Sequence, residues 1–330
     1  MAYLIYFIVF VALVLLEVVY FRLADRFSII DKPNERSSHK GIIIRGGGVI
    51  FYFAGLIFFM LSKGSYPWFI LGLTLVALIS MVDDMRPVPN RIRILFHLSG
   101  ILLLMFQLDL MNLLPIWGLV LVLIFTTGIV NAFNFMDGIN GISGGYGLVT
   151  IISLLIIQLN IFGWAEPVDF IQLDFLIYVF LGLVVFNYFN FRKKAKCFAG
   201  DVGSVSLAFL LIFALFSLMV TTENFTYILF FAVYGIDSII TIAQRLLRRE
   251  NIFKAHRSHF YQYLANEMGI PHLQVAGMYM TVQFIINLLV IYYSAHAPIF
   301  LQYIMGIGMV LYLSVLYIFF KIRIMRKVLG

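Results

Sequence analysis

Charge is scarce in this chain. Asp, Glu, Lys and Arg make up 12% of its 330 residues, against about a quarter in a soluble domain. Hydrophobic residues make up 62% and the mean hydropathy is +1.00. These values exclude a water-soluble globule and leave an all-α, polytopic integral membrane protein. No soluble domain of more than a few dozen residues can be separated from it. The longest stretch without an apolar run is 244–272, so 1–330 reads as one membrane domain. Cysteine is nearly absent, and Cys197 alone excludes an internal disulfide or a multi-cysteine metal site. No basic residue precedes the first apolar run, which is long enough to span a bilayer. It reads as a retained helix rather than a cleaved signal.

What is abundant is apolar sequence in lengths of about 20 residues, the span of a hydrocarbon core. Eleven segments qualify, ten if two share a turn: 2–21, 46–62, 67–82, 92–108, 115–131, 144–163, 173–189, 203–220, 225–243, 273–294 and 298–320. With the N-terminus outside, all of the 23 Lys and Arg residues except Lys63 fall in inner loops or the C-terminal tail. Basic residues favour the cytoplasmic side, which fixes the expected orientation. The asymmetry also explains the net charge of +7 without nucleic acid as a partner. The outer loops are short and bland, while the inner loops hold nearly everything polar. An enzyme acting on a cytoplasmic substrate has this distribution. A transporter, the alternative class, would place ionisable groups near the midplane on broken helices, where only Glu17 and Asp237 are candidates.

Five inner loops carry candidate chemistry. The first runs from Asp31 through Lys32, Pro33, Asn34, Glu35, Arg36 and His39 to Arg45-Gly46-Gly47-Gly48. Glycines opening a helix let backbone N–H groups approach a phosphate, though small residues also simply permit close helix packing. The second carries Asp83-Asp84 at the end of a span, suited to Mg²⁺, which takes one or two carboxylates and keeps several waters. One of the pair is also a candidate proton acceptor; a solvated loop is the plainer reading. The third, Asn131-Ala-Phe-Asn134-Phe-Met-Asp137-Gly138-Ile-Asn140-Gly141, can hold a base or ribose by directed hydrogen bonds, or can be turn chemistry. The fourth holds Asn187, Asn190, the basic run Arg192-Lys193-Lys194, and Asp201 between glycines. Asp201 suits a hard cation and equally suits a helix N-cap. The fifth holds Asp237, Arg245, Arg248, Arg249, His256, Arg257 and His259. Two His flanking an Arg can bind a diphosphate. Zinc is disfavoured because no third ligand has suitable spacing.

The order of these loops is more specific than any one of them. The set DKPNERSSH…RGGG, VDDMRPVPNRIR, NAFNFMDGINGIS, FNFRKKAKCFAGDVGS and HRSHFYQYL resembles the polyprenyl-phosphate N-acetylhexosamine-1-phosphate transferases of glycosyltransferase family 4, from Asp31 to Gln262. The resemblance implies a ten- or eleven-helix membrane protein of the bacterial inner membrane with a cytoplasmic cleft. It implies Mg²⁺ (or Mn²⁺), a UDP-N-acetylhexosamine donor, undecaprenyl phosphate as acceptor, release of UMP, and homodimerisation. By motif, Asp201 would be the principal metal ligand with Asp83. Asp83 and Asp84 would handle the lipid phosphate, and Asp137 would be catalytic. Arg45, Gly46, Gly47, Asn131, Asn134, Asn187, Asn190, Asp237, His256, Arg257 and His259 would bind substrate.

The chain departs from the family pattern in three places. Asn140 stands where a second Asp is common, Ile44 replaces a proline, and Arg192-Lys193-Lys194 replaces a Pro-Ala stretch. The last departure makes Asn187 a substitute for Asn190 at the uracil. The His-Arg-Ser-His segment points to a branch that starts O-antigen-like surface polysaccharides with 6-deoxy sugars such as N-acetylfucosamine or N-acetylquinovosamine, beside plain N-acetylglucosamine. A scaffold that has lost activity would be expected to lack the carboxylates, and Asp83, Asp84, Asp137 and Asp201 are all present.

Overall fold

A computed structural model describes residues 2–31, 43–164, 167–251 and 257–329. Candidate His256 and most of the first inner loop, 32–42, lie outside the described residues. The helices are α1 (Ala2–Arg26), α2 (Val49–Leu61), α3 (Pro67–Met85), α4 (Asn90–Gln107), a short α5 (Leu110–Leu113), α6 (Ile116–Met136) and α7 (Ile142–Gln158). They continue with α8 (Leu173–Asn190), α9 (Gly200–Thr222), α10 (Ala232–Leu247), a single turn α11 (Phe260–Gln262), α12 (His272–His296) and α13 (Ile299–Leu329). The only described sheet is a two-residue pairing of β1 (Ile30–Asp31) with β2 (Ile43–Ile44).

Each apolar segment read from the sequence lies on a helix. Among the described residues eight helical spans are long and apolar enough to cross a membrane, one of them the run Phe225–Leu247, and α2 and α7 are apolar but shorter. The chain is therefore a multi-pass, all-α membrane protein. Two boundaries differ from expectation. Segment 46–62 becomes helical only at Val49, because Gly46 adopts φ +80°. Segment 225–243 is not one helix: a 3-10 helix, Phe225–Phe231, gives way to α10. Backbone groups released by such a break have no water to turn to within a membrane. Gln283 on α12 supplies the partner, donating to the Leu229 carbonyl at 2.8 Å and accepting from Val233 N–H at 3.0 Å.

Helix α9 is the axis of the molecule and is buried along its length, with α2, α3, α6 and α7 around it. Small residues permit that central position, since helix association in a membrane rests on close van der Waals contact. A Cβ on Gly203 would lie 2.5 Å from the Gly48 Cα, so neither position accepts a side chain without displacing backbone. Helix α13, by contrast, turns most of its apolar surface outward, as a lipid-facing helix does.

The loops separate into two ends. At one, Gln172 bonds Ser65 and Tyr66, Gln107 accepts from Trp68 N–H, and Asn224 bonds Gln302. At the other, the ends of α3 and α6 and the starts of α4 and α9 converge. One basic residue departs from the sequence reading. Lys321, counted with the exposed tail, is 1% exposed and donates to Thr241 and Tyr317.

Candidate active site

The centre of the convergence is the start of α9. Four backbone N–H groups at a helix start lack intrahelical partners and form the positive end of the helix dipole. Two are taken by Asp84 from α3, whose carboxylate accepts the N–H of Asp201 and of Val202, each at 2.9 Å. Gly200 must be glycine for this approach: its φ is +71°, and a Cβ there would sit 2.6 Å from Asp84 Oδ2. Asp84 thus caps α9 from another helix. Asp201, in the first turn and not at the cap, is left with its side chain pointing elsewhere.

It points into a cluster of carboxylates and guanidiniums. Asp201 Oδ1 accepts from Asn134 Nδ2 at 2.9 Å and faces Arg45 Nη2 at 3.3 Å. Its Oδ2 faces Arg93 Nη2 at 3.7 Å. The same Arg93 holds Asp83 Oδ2 at 2.8 Å, and Arg45 Nε holds Asp84 at 2.6 Å. Asp83 also accepts from Val88 N–H at 2.7 Å, the turn carrying Pro87 and Pro89. The carboxyls of Asp83 and Asp201 approach within hydrogen-bonding reach of each other. Burial alone would lower the pKa of Arg45. The carboxylates of Asp84, Asp201 and Asp31 outweigh it and hold the guanidinium above its ordinary value.

Arg45 is delivered by a rigid segment. Tyr20 on α1 donates to its carbonyl at 2.6 Å, and Gly47 and Gly48 N–H donate to Phe198 and Ala199 carbonyls at 2.9 and 3.1 Å. Those two N–H groups are committed to the chain and are not a phosphate cradle. Gly46 supplies the turn and Gly48 the helix crossing, so packing accounts for the glycine run. The anion-binding expectation narrows to Arg45.

Asp137 follows α6, half-buried, and faces Ser143 and the backbone of Gly200. Burial pushes its carboxyl up to about 6, partly countered by Ser143, Gly200 and Arg45. Asn131 lies one turn before Asn134 and bonds the Thr127 carbonyl at 2.9 Å. Asn190 is occupied at both ends, accepting from Gly141 N–H at 2.7 Å and donating to the Cys197 carbonyl at 2.8 Å. It is a buried tie between loops, which corrects its assignment to a substrate base. Asn187, half-buried, uses Nδ2 on Leu183 while its Oδ1 has no partner among the described residues. Asn140 likewise ties its loop to the carbonyls of Arg192 and Lys193.

The fifth loop docks on the third. Tyr261 donates to the Phe135 carbonyl at 3.0 Å, and a Cβ on Gly138 would meet the Tyr261 hydroxyl at 2.1 Å, so Gly138 makes room for it. His259 lies against Phe135, next to Asn134. Arg257 is paired with Glu267 at 3.7 Å. Asp237 is fully buried behind His259, which corrects its expected role in touching substrate.

Sequence reasoning missed Arg93, which looked like one more cytoplasmic charge, and Ser204, bonded to Asn134 at 3.1 Å. Arg93 lies two residues after Arg91 at a helix start, and its spacing gave no sign that it, like Arg45, reaches two carboxylates.

No three His, Cys, Asp or Glu side chains among the described residues group as a complete ligand set for a metal ion. Mg²⁺ does not require one, since it binds through one or two carboxylates with water completing the octahedron. Asp83 and Asp201, close enough for the Asp83 carboxyl to donate to Asp201, would fit that need once a cation displaced the proton between them.

A family model described as glycosyl transferase family 4 matches residues 66–221. That window holds every site residue from Asp83 to Asp201, and Arg45 and His259 lie outside it. The chain is 23% identical over 271 residues to a probable undecaprenyl-phosphate N-acetylglucosaminyl 1-phosphate transferase of Bacillus subtilis, covering 76% of this chain and 73% of that protein. It is 28% identical over 270 residues to an undecaprenyl-phosphate alpha-N-acetylglucosaminyl 1-phosphate transferase of Yersinia pestis, covering 74% and 71%. The protein of the same description from Escherichia coli K12 is 26% identical over 274 residues, covering 74% and 71%.

Proposed function

We propose that this chain, whose residues 66–221 match the glycosyl transferase family 4 model, transfers N-acetylhexosamine-1-phosphate from a UDP-sugar to undecaprenyl phosphate, releasing UMP. N-acetylglucosamine is the sugar in the relatives' descriptions and the first expected here. The product would be the lipid-linked first sugar of a cell-surface polysaccharide. The site would face the cytoplasm across a bacterial inner membrane. A polytopic transporter is disfavoured because the charged cluster sits at one end of the helices instead of midway along them.

The observation that carries this reading is the assembly of Asp83, Asp84 and Asp201 with Arg45, Arg93 and Asn134 from separate loops at one end of the bundle. A phosphate oxygen attacking a diphosphate is already a nucleophile near neutral pH. The reaction therefore needs charge neutralisation and in-line positioning more than proton transfer. Arg45 and Arg93 are placed to meet phosphoryl oxygens, and guanidiniums do so in fixed fork geometry. Asp201 and Asp83 would hold Mg²⁺, which supplies further neutralisation of the diphosphate charge when bound. Asn134 orients Asp201 from α6. Asp84 is not placed to accept a proton: its oxygens are taken by Arg45 and two backbone N–H groups, so it builds the site and leaves the acceptor phosphate to Asp83. His259 and Arg257 would reach the donor's diphosphate or sugar, and Asn187 its base.

The test is UMP release by the purified protein with undecaprenyl phosphate, Mg²⁺ and a panel of UDP-sugars that includes N-acetylglucosamine, N-acetylfucosamine and N-acetylquinovosamine. Release requiring lipid, metal and one donor is expected. Release of UMP without the lipid acceptor, or none with any donor from folded protein, overturns the reading.

A further inference from the structure

A second buried ionic cluster lies behind the third and fifth loops, around Asp237 and Lys321. Asp237 on α10 is 0% exposed, and hydroxyl and backbone N–H donors surround its carboxylate. Its Oδ1 accepts from Tyr317 at 2.9 Å, Phe260 N–H at 3.2 Å and Thr241 at 3.3 Å, and its Oδ2 accepts from Tyr279 at 2.6 Å. His259 Nδ1 approaches the same Oδ1 at 3.0 Å. Lys321, near the end of α13, donates to Thr241 at 2.8 Å and to Tyr317 at 2.9 Å. Three helices, α10, α12 and α13, thus converge on one carboxylate, which faces one imidazole.

A carboxylate so surrounded is acceptor-only, and an unprotonated ring nitrogen facing it would be repelled. Nδ1 therefore carries hydrogen. The ring is also held in plane, stacked on Tyr261 at 6.0 Å between centroids and resting against Phe135 at 6.1 Å. We propose that Asp237 is a positioning residue. With Tyr317 and Lys321 of the C-terminal helix, it fixes His259 as the Nδ1–H tautomer, in one orientation, for contact with the sugar-nucleotide donor through Nε2. This rests on the reading that His259 meets the donor. The arrangement has the logic of a carboxylate behind a functional histidine, where the outer partner sets which nitrogen is protonated. It also gives the last helix a role in the site that its distance along the chain conceals. Asp237 acts through His259 and does not touch substrate.

The experiment uses full-length protein in nanodiscs, ¹⁵N-labelled at histidine, with His259 assigned from the spectrum of His259→Gln. Protonated Nδ1 at His259 is expected in the wild type, and an Nε2–H tautomer there overturns the assignment outright. In parallel, kinetics are measured for Asp237→Asn, His259→Gln and the double variant, per folded molecule. Loss of an outer partner is typically worth about 10–100-fold, and a fall of that size in kcat is expected for Asp237→Asn. The double variant should be no slower than His259→Gln. Full kcat in folded Asp237→Asn beside a crippled His259→Gln, or losses that multiply, sinks the positioning role alone. Full activity of His259→Gln sinks the donor-contact reading beneath it. Should Asp237→Asn fail to fold, Lys321→Met and Tyr317→Phe test the same relay, with a several-fold fall in kcat expected and an unchanged kcat overturning it.

Discussion

Arg45 and Arg93 stand on opposite sides of Asp201, and each spans from it to a different carboxylate of the Asp83-Asp84 pair. The two adjacent acids consequently part ways. Asp84→Asn should destabilise the protein by about 3–5 kcal/mol, as when one partner of a buried ion pair is removed; thermal unfolding of the detergent-solubilised variant measures it. Asp201→Asn should abolish turnover with little change in unfolding temperature, and a folded variant with near-normal activity would remove Asp201 from the metal site. Asp137 predicts a dependence on pH. Burial raises its carboxyl to about 6, above an unfolded value of about 3.9. The neutral acid is the form the fold prefers, so its contribution is complete below about pH 4 and lost as pH rises through about 6. Metal-free Asp137→Asn should then be more stable than wild type at pH 8, by about 3 kcal/mol at most, with the difference vanishing below about pH 4. A pH-independent difference would contradict it. The acids and amides of the site stood out in the sequence because polar residues are rare in it. Their division of labour did not, because Asp84 finds its partner 117 positions away on α9.

At the scale of elements, hydropathy located every long helix, but not the short α5 or α11, because an apolar run of that length in a bilayer is stable as a helix. It could not locate the break before α10, since Phe225–Phe231 is no less apolar than α10 itself. The glycine run was legible as special but pointed two ways, and only the crossing of α2 and α9 decides between them. Gly203→Ala tests that crossing. A methyl 2.5 Å from the Gly48 Cα has to move backbone, at a cost of about 1–3 kcal/mol typical of overpacking. Because Asp201 lies two residues before Gly203, the proposed transferase activity should fall further than stability. Equal activity per folded molecule would show that α2 and α9 can separate without disturbing the site.

For the whole molecule, the basic residues read the sidedness of the loops, and the two ends of the bundle separate accordingly, although the side each faces is an expectation. Cys197 makes that measurable: it is the only cysteine and fully buried, so an engineered one reports against a silent background. Lys63→Cys should react with an impermeant maleimide on intact cells, and Arg91→Cys only after permeabilisation; the reverse would invert the topology. The central placement of α9 also constrains how the protein is made. A chain threaded into the bilayer from its N-terminus inserts α1 to α8 before the helix that fills their middle exists. Until then α2, α3, α6 and α7 lack the helix they pack against, and Asp84 lacks the two backbone N–H groups it caps. Biogenesis therefore has a late closing step, and a ribosome stalled short of Thr222 would leave a ring of helices with no hub.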